Sequence, residues 1–216
     1  MKIKDLDNNE KHTIGEEITN SITHGFGILF GIVALILLII FSSKKGSITL
    51  ISTIVYGISL IVLYLISTLY HGIQHKKTKK VFEILDHIAV YLLIAGTYTP
   101  FALLIIKGMK GWILLVLIWF LAIVGISIKP FTVKKFLFLS TAIYIFMGWI
   151  AIFLINDLIA NLNAFQITTL ILGGVFYTVG TFFYVFRKIK YGHFIWHLFV
   201  LFGSISHFIT IFSYIL

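Results

Sequence analysis

Long apolar runs separated by short polar segments repeat along this chain, and the length of the runs is their most informative property. They fall at about Ile22–Phe41, Ser47–Tyr70, His87–Ile106, Trp112–Ile128, Phe136–Ile155, Ile167–Phe186 and Phe194–Leu216. A helix of ~20 residues, rising 1.5 Å per residue, crosses a hydrocarbon core of ~30 Å. Backbone polar groups find no water inside a bilayer, so each run is expected to be a helix that satisfies them internally. The pattern therefore predicts an all-α membrane protein. A seven-transmembrane-helix bundle over residues 22–216 follows a polar N-terminal segment, residues 1–21. Gly27 and Gly31 lie four apart in the first run and predict a close approach to a neighbouring helix. Pro100 inside the third run predicts a kink.

Composition agrees. Apolar residues make up 59% of the chain and charged residues 12%, with a mean hydropathy of +1.04. A soluble domain carries about a quarter charged residues. There is no cysteine, which excludes disulfides and leaves nitrogen and oxygen as the only metal donors. The first twenty residues lack an apolar core followed by a small-residue cleavage site, so the first span is expected to stay in the protein.

Charge sets the expected orientation. With the N-terminus in the cytoplasm, 13 basic residues fall on that side: Lys2, Lys4, Lys11, Lys76, Lys77, Lys79, Lys80, Lys129, Lys134, Lys135, Arg187, Lys188 and Lys190. Lys44, Lys45, Lys107 and Lys110 fall outside. The positive-inside rule favours this arrangement, with the C-terminus at Leu216 outside. The net charge of +9 is then a collar facing anionic lipid headgroups and calls for no nucleic acid. The expected location is the cell membrane, with membrane lipids as the partners.

That topology gathers polar residues at one depth. His71 ends the second run, Asp86 begins the third, and His193 and His197 open the seventh, all at the cytoplasmic face. Residues at i and i+4 share a helix face, so His193 and His197 present two imidazoles side by side. Ser67 lies one turn deeper than His71. Ionisable groups at this depth are costly and mark functional sites by default. Three histidines with a nearby carboxylate are the makeup of a hydrolytic zinc site. The metal ligands expected are His71, His193 and His197, and the Ser67 hydroxyl suits a bond to a metal-bound water. Asp86 is compatible with three roles: direct ligand, general base at the water, or N-cap of the third helix.

The remaining polar residues have plainer readings. Glu17, Asn20 and His24 recur at helical spacing and are expected to form a bundle-facing network around the site. His75, followed by Lys76 and Lys77, reads as a solvated loop histidine, and His87 as facing a neighbouring helix or the interface. Asp157 is the only acidic residue of the outer half, expected in a loop. His207 lies ~15 Å beyond His197 along the seventh helix and reads as a hydrogen-bonded packing histidine.

The segment E17-I-T-N-S-I-T-H24, the turn S67-T-L-Y-H71, the pair D86-H87 and the motif H193-F-I-W-H197 together resemble the hemolysin III proteins of bacteria. The wider group includes the progestin and adiponectin receptors and, more distantly, the alkaline ceramidases. The likeness extends from about Glu16 to Phe208. The resemblance implies a seven-helix bundle with a cytoplasm-side cavity. It also implies zinc on His71, His193 and His197, with Asp86 and Ser67 beside the metal and its water.

The reading that follows is an integral-membrane zinc-dependent hydrolase acting on a lipid-like amide or ester near the cytoplasmic face, with Asp86 and Ser67 as its catalytic side chains. The amide preference comes from the resemblance alone. Two alternatives remain open: a zinc-stabilised lipid sensor or signalling protein, and a cytolytic protein of the kind the family name suggests. A retinal pigment is excluded because the seventh run has no lysine.

Overall fold

Helix α1 (Ile14–Ser42) begins at a capping box. The Thr13 hydroxyl accepts from Glu16 N at 3.2 Å, and Glu16 Oε2 accepts from Thr13 N at 2.8 Å. The other Glu16 oxygen accepts from Tyr191 N at 3.0 Å. Tyr191 caps the last helix in a left-handed conformation, so one carboxylate ties the first and last helices together at the same end of the bundle. The computed structural model describes residues 13–132, 136–186 and 189–216. Lys2, Lys4, Lys11, Lys134, Lys135, Arg187 and Lys188, which entered the charge count, lie outside the described residues.

The elements that follow are α2 (Ser47–Gly72), α3 (Lys76–Pro100) with a π-helical continuation Phe101–Ile106, and α4 (Gly108–Thr132). Next come α5 (Leu137–Trp149), a 3₁₀ stretch Ile150–Leu154 and α6 (Ile155–Asn161), which together form one span. The chain closes with α7 (Ala164–Val185) and α8 (Gly192–Ile215). The described residues thus contain seven helical segments long and apolar enough to cross a membrane. The protein is an all-α, multi-pass membrane protein. The most extensive packing is α1 on α2, α7 on α8 and α2 on α3, and α3 is the most buried span.

Close approach of α1 and α2 depends on the two glycines expected to allow it. A Cβ at Gly27 would collide with the Tyr64 ring, and one at Gly31 would come within 3.1 Å of Ile61. The irregular stretches have identifiable causes. Proline has no N–H to give the helix, and the chain leaves α-geometry directly after Pro100. The Tyr214 hydroxyl donates to the Leu104 carbonyl inside the π-helical stretch at 2.9 Å. Tyr98 does the same for the break in the fifth span, donating to Gly148 O at 2.9 Å and accepting from Ala151 N at 3.0 Å.

Several boundaries differ from expectation. Helices α1 and α3 begin at Ile14 and Lys76, well before the apolar runs at Ile22 and His87. Their first turns are helical but polar, and a reading based on apolar runs does not register them. His75, exposed as expected, is the N-cap of α3, so Asp86 lies in the helix interior and its N-cap role is excluded. Asp157 belongs to α6 rather than a loop and pairs with Lys110 at 2.9 Å. Lys129 is no part of a solvated collar. It is 1% exposed, and its ammonium donates to Ser140 Oγ at 3.0 Å.

Candidate metal centre

The end of α2 and the start of α8 come together against the start of α1, and α2 and α8 bring three histidines to one place. His71, His193 and His197 offer ligand nitrogens that all lie within 4.8 Å of one another, a group that could hold a metal ion. Their ring centroids are separated by 5.1 Å (His71–His193), 4.9 Å (His71–His197) and 4.6 Å (His193–His197). His71 and His197 are each 1% exposed.

Helix α1 orients two of these rings. The Nδ1–H of His71 donates to Glu17 Oε2 at 2.8 Å, and Glu17 Oε1 receives the Lys79 ammonium at 2.9 Å. Nδ1 of His197 donates to the Asn20 carbonyl at 3.4 Å. Bonds of this kind at Nδ1 fix the tautomer and make Nε2 the metal-binding nitrogen. The Asn20 amide lies 3.5 Å from His71 Nδ1. The His24 ring stacks on that of His197, with centroids 3.6 Å apart and planes 12° from parallel. Glu17, Asn20 and His24 therefore form the network around the histidines that their spacing suggested. The spacing did not show that Glu17 would pair with His71 rather than another helix, because that depends on how α1 is rotated against α2.

A cavity of about 120 Å³ opens beside the cluster. Ser67, Asp86, His24 and His197 are among the residues that line it. On α3 the lining residues Asp86, Val90, Leu93 and Thr97 recur at helical spacing, so one face of that helix forms a wall. Ser67 is 1% exposed, and its hydroxyl has no hydrogen-bond partner among the described residues. A buried hydroxyl of this kind one turn from His71 fits a metal site, where a coordinated water would be its partner. The donor set fits as well: imidazole nitrogens suit zinc, and three protein ligands leave a position open.

The other histidines are placed elsewhere. His87 donates from Nδ1 to Glu83 O at 2.7 Å and bonds the Tyr184 hydroxyl on α7 through Nε2 at 3.0 Å, so it faces a neighbouring helix as expected. His207 bonds the Leu170 carbonyl at 3.2 Å, and it also lines the cavity. The sequence carried no signal for that second property.

The chain matches the family described as haemolysin-III related over residues 12–208. It is 51% identical over 203 residues to the hemolysin-3 homolog of Bacillus subtilis, covering 94% of this chain and 95% of that relative. It is 50% identical over 204 residues to hemolysin-3 of Bacillus cereus, covering 94% and 93%. A more distant relative, the monocyte to macrophage differentiation factor of Homo sapiens, is 28% identical over 211 residues, covering 95% and 87%. Seven membrane-length helices, a histidine cluster where three of them meet and similarity along nearly its whole length lead to one conclusion: the chain belongs to the haemolysin-III-related family.

Proposed function

We propose that this protein is an integral-membrane, zinc-dependent hydrolase of a lipid-like amide or ester, working at the cytoplasmic face of the cell membrane. The observation that carries the reading is the cavity. The same apolar space is lined by a residue of the buried histidine cluster, a buried serine hydroxyl without a partner and a carboxylate. A packing cluster would have no use for an adjoining cavity lined by these groups.

His71, His193 and His197 would hold the zinc, with Glu17 and Asn20 orienting two of the rings. Bound there, zinc supplies a Lewis acid and lowers the pKa of water to near 7. Asp86 is the general base: its carboxylate takes a proton from the attacking water and returns it to the leaving amine or alkoxide. The Ser67 hydroxyl orients that water by a hydrogen bond. The apolar walls formed by residues such as Val90, Leu93 and Val200 hold the chain of the substrate and exclude bulk water.

Asp86→Asn tests the reading in zinc-loaded protein held in lipid discs. The variant keeps the shape of the side chain but not its basicity. It should retain zinc while hydrolysis of a long-chain lipid amide falls by ~10²-fold or more. Unchanged turnover would remove Asp86 from the role of base. Zinc binding with no turnover of any lipid amide or ester would favour the alternative of a zinc-stabilised lipid sensor. The names of the two Bacillus relatives support a further reading, membrane lysis, for which release of a dye trapped in vesicles by the purified protein is the discriminating result.

A further inference from the structure

Away from the histidine cluster, one buried side-chain atom of the cavity lining has no hydrogen-bond partner among the described residues. Thr97 Oγ1 donates to Leu93 O at 2.7 Å. Thr178 Oγ1 donates to Gly174 O at 2.7 Å and accepts from Trp149 Nε1 at 2.9 Å. Tyr98 is engaged with Gly148 and Ala151, and the Tyr177 hydroxyl bonds Ser204 Oγ at 2.8 Å. His207 differs. Its Nε2 lies 3.2 Å from the Leu170 carbonyl, which can only accept, so Nε2 carries the proton and Nδ1 of the neutral ring is an acceptor. That Nδ1 is buried and has no hydrogen-bond partner among the described residues.

The ring is also aimed. A Cβ at Gly173 would overlap Cδ2 and Nε2 of His207, so that edge lies against the backbone of α7. The Nδ1 edge is turned the other way, and His207 lines the cavity. An unpaired acceptor is costly in an apolar enclosure. It lies ten residues from His197 on the same helix, or ~15 Å.

We propose that His207 Nδ1 accepts a hydrogen bond from a hydroxyl group carried on the chain of the lipid ligand. This rests on the reading of the cavity as a lipid-substrate site and names the class of lipid: one with a hydroxyl partway along its hydrocarbon tail. An extended chain advances ~1.2 Å per bond, since a residue of three backbone bonds spans ~3.3–3.6 Å. The hydroxyl therefore sits roughly a dozen bonds from the group held at the histidine cluster.

The test compares 12-hydroxyoctadecanoic acid, its 12-methoxy analogue and octadecanoic acid as ligands of the purified full chain, by thermal-shift titration at matched detergent content. A net hydrogen bond corresponds to about a 3- to 10-fold gain in affinity. Wild type should prefer the hydroxy acid by that factor over both the methoxy and the plain acid. His207→Leu, which removes the acceptor and keeps an apolar filler, should lose the preference and still bind octadecanoic acid. The proposal is overturned if the methoxy acid binds as well as the hydroxy acid, if the preference survives in His207→Leu, or if wild type binds none of the three. The methoxy comparison is made on wild type, so it stands even if the variant misfolds. No turnover is needed: a chain that shows the preference but neither binds zinc nor hydrolyses lipid would defeat the hydrolase reading and leave this one standing.

Discussion

Glu17 serves two partners with one carboxylate, His71 through Oε2 and Lys79 through Oε1. Outer bonds of this kind hold a ligand histidine in one orientation and raise its basicity, and losing them typically costs 10- to 100-fold in metal affinity. Glu17→Gln should therefore weaken zinc binding by about 10- to 100-fold, measured by competition with a chelator, while the protein keeps its helical content. Unchanged affinity would mean that the carboxylate serves Lys79 alone. The histidine cluster itself was legible from sequence, because depth in the membrane and i, i+4 spacing together bring His71, His193 and His197 to one end of the bundle. His24 stacking on His197 and His207 facing the cavity were not. Both depend on helix rotation, which an evenly apolar run does not reveal.

At the scale of the helix, the α1–α2 contact rests on the absence of side chains. Gly27 lies directly against the Tyr64 ring, and the Tyr64 hydroxyl donates to Ser204 Oγ on α8 at 2.7 Å. A methyl at Gly27 would force that ring out of register with α8. Gly27→Ala should lower thermal stability in detergent by about 1–3 kcal/mol, the usual range for overpacking. Gly25→Ala, where an added Cβ meets nothing within 4 Å, should be neutral or slightly stabilising. Equal effects would show that helix propensity, not the tyrosine contact, decides. The number of spans and most helix ends were readable from apolar runs. The early starts of α1 and α3 were not, because their first turns carry charged residues such as Glu16, Glu17, Lys79 and Lys80 that sit outside the apolar stretch.

For the whole molecule, the histidine cluster lies at the end of the bundle where α1 and α8 begin, tied together through Glu16 and Tyr191. The charge asymmetry of the sequence is what makes the cytoplasmic side the expected one for this end. A topology reporter fused after Leu216 should then be active only on the far side of the membrane, and activity in the cytoplasm would move the site to the outer face. Elemental analysis of the protein purified in lipid discs decides whether the cluster holds a zinc ion. One zinc per chain is expected, lost in His71→Ala, His193→Ala and His197→Ala and retained in His75→Ala and His207→Ala. Wild-type protein without bound zinc, or zinc retained in all three cluster variants, would contradict it.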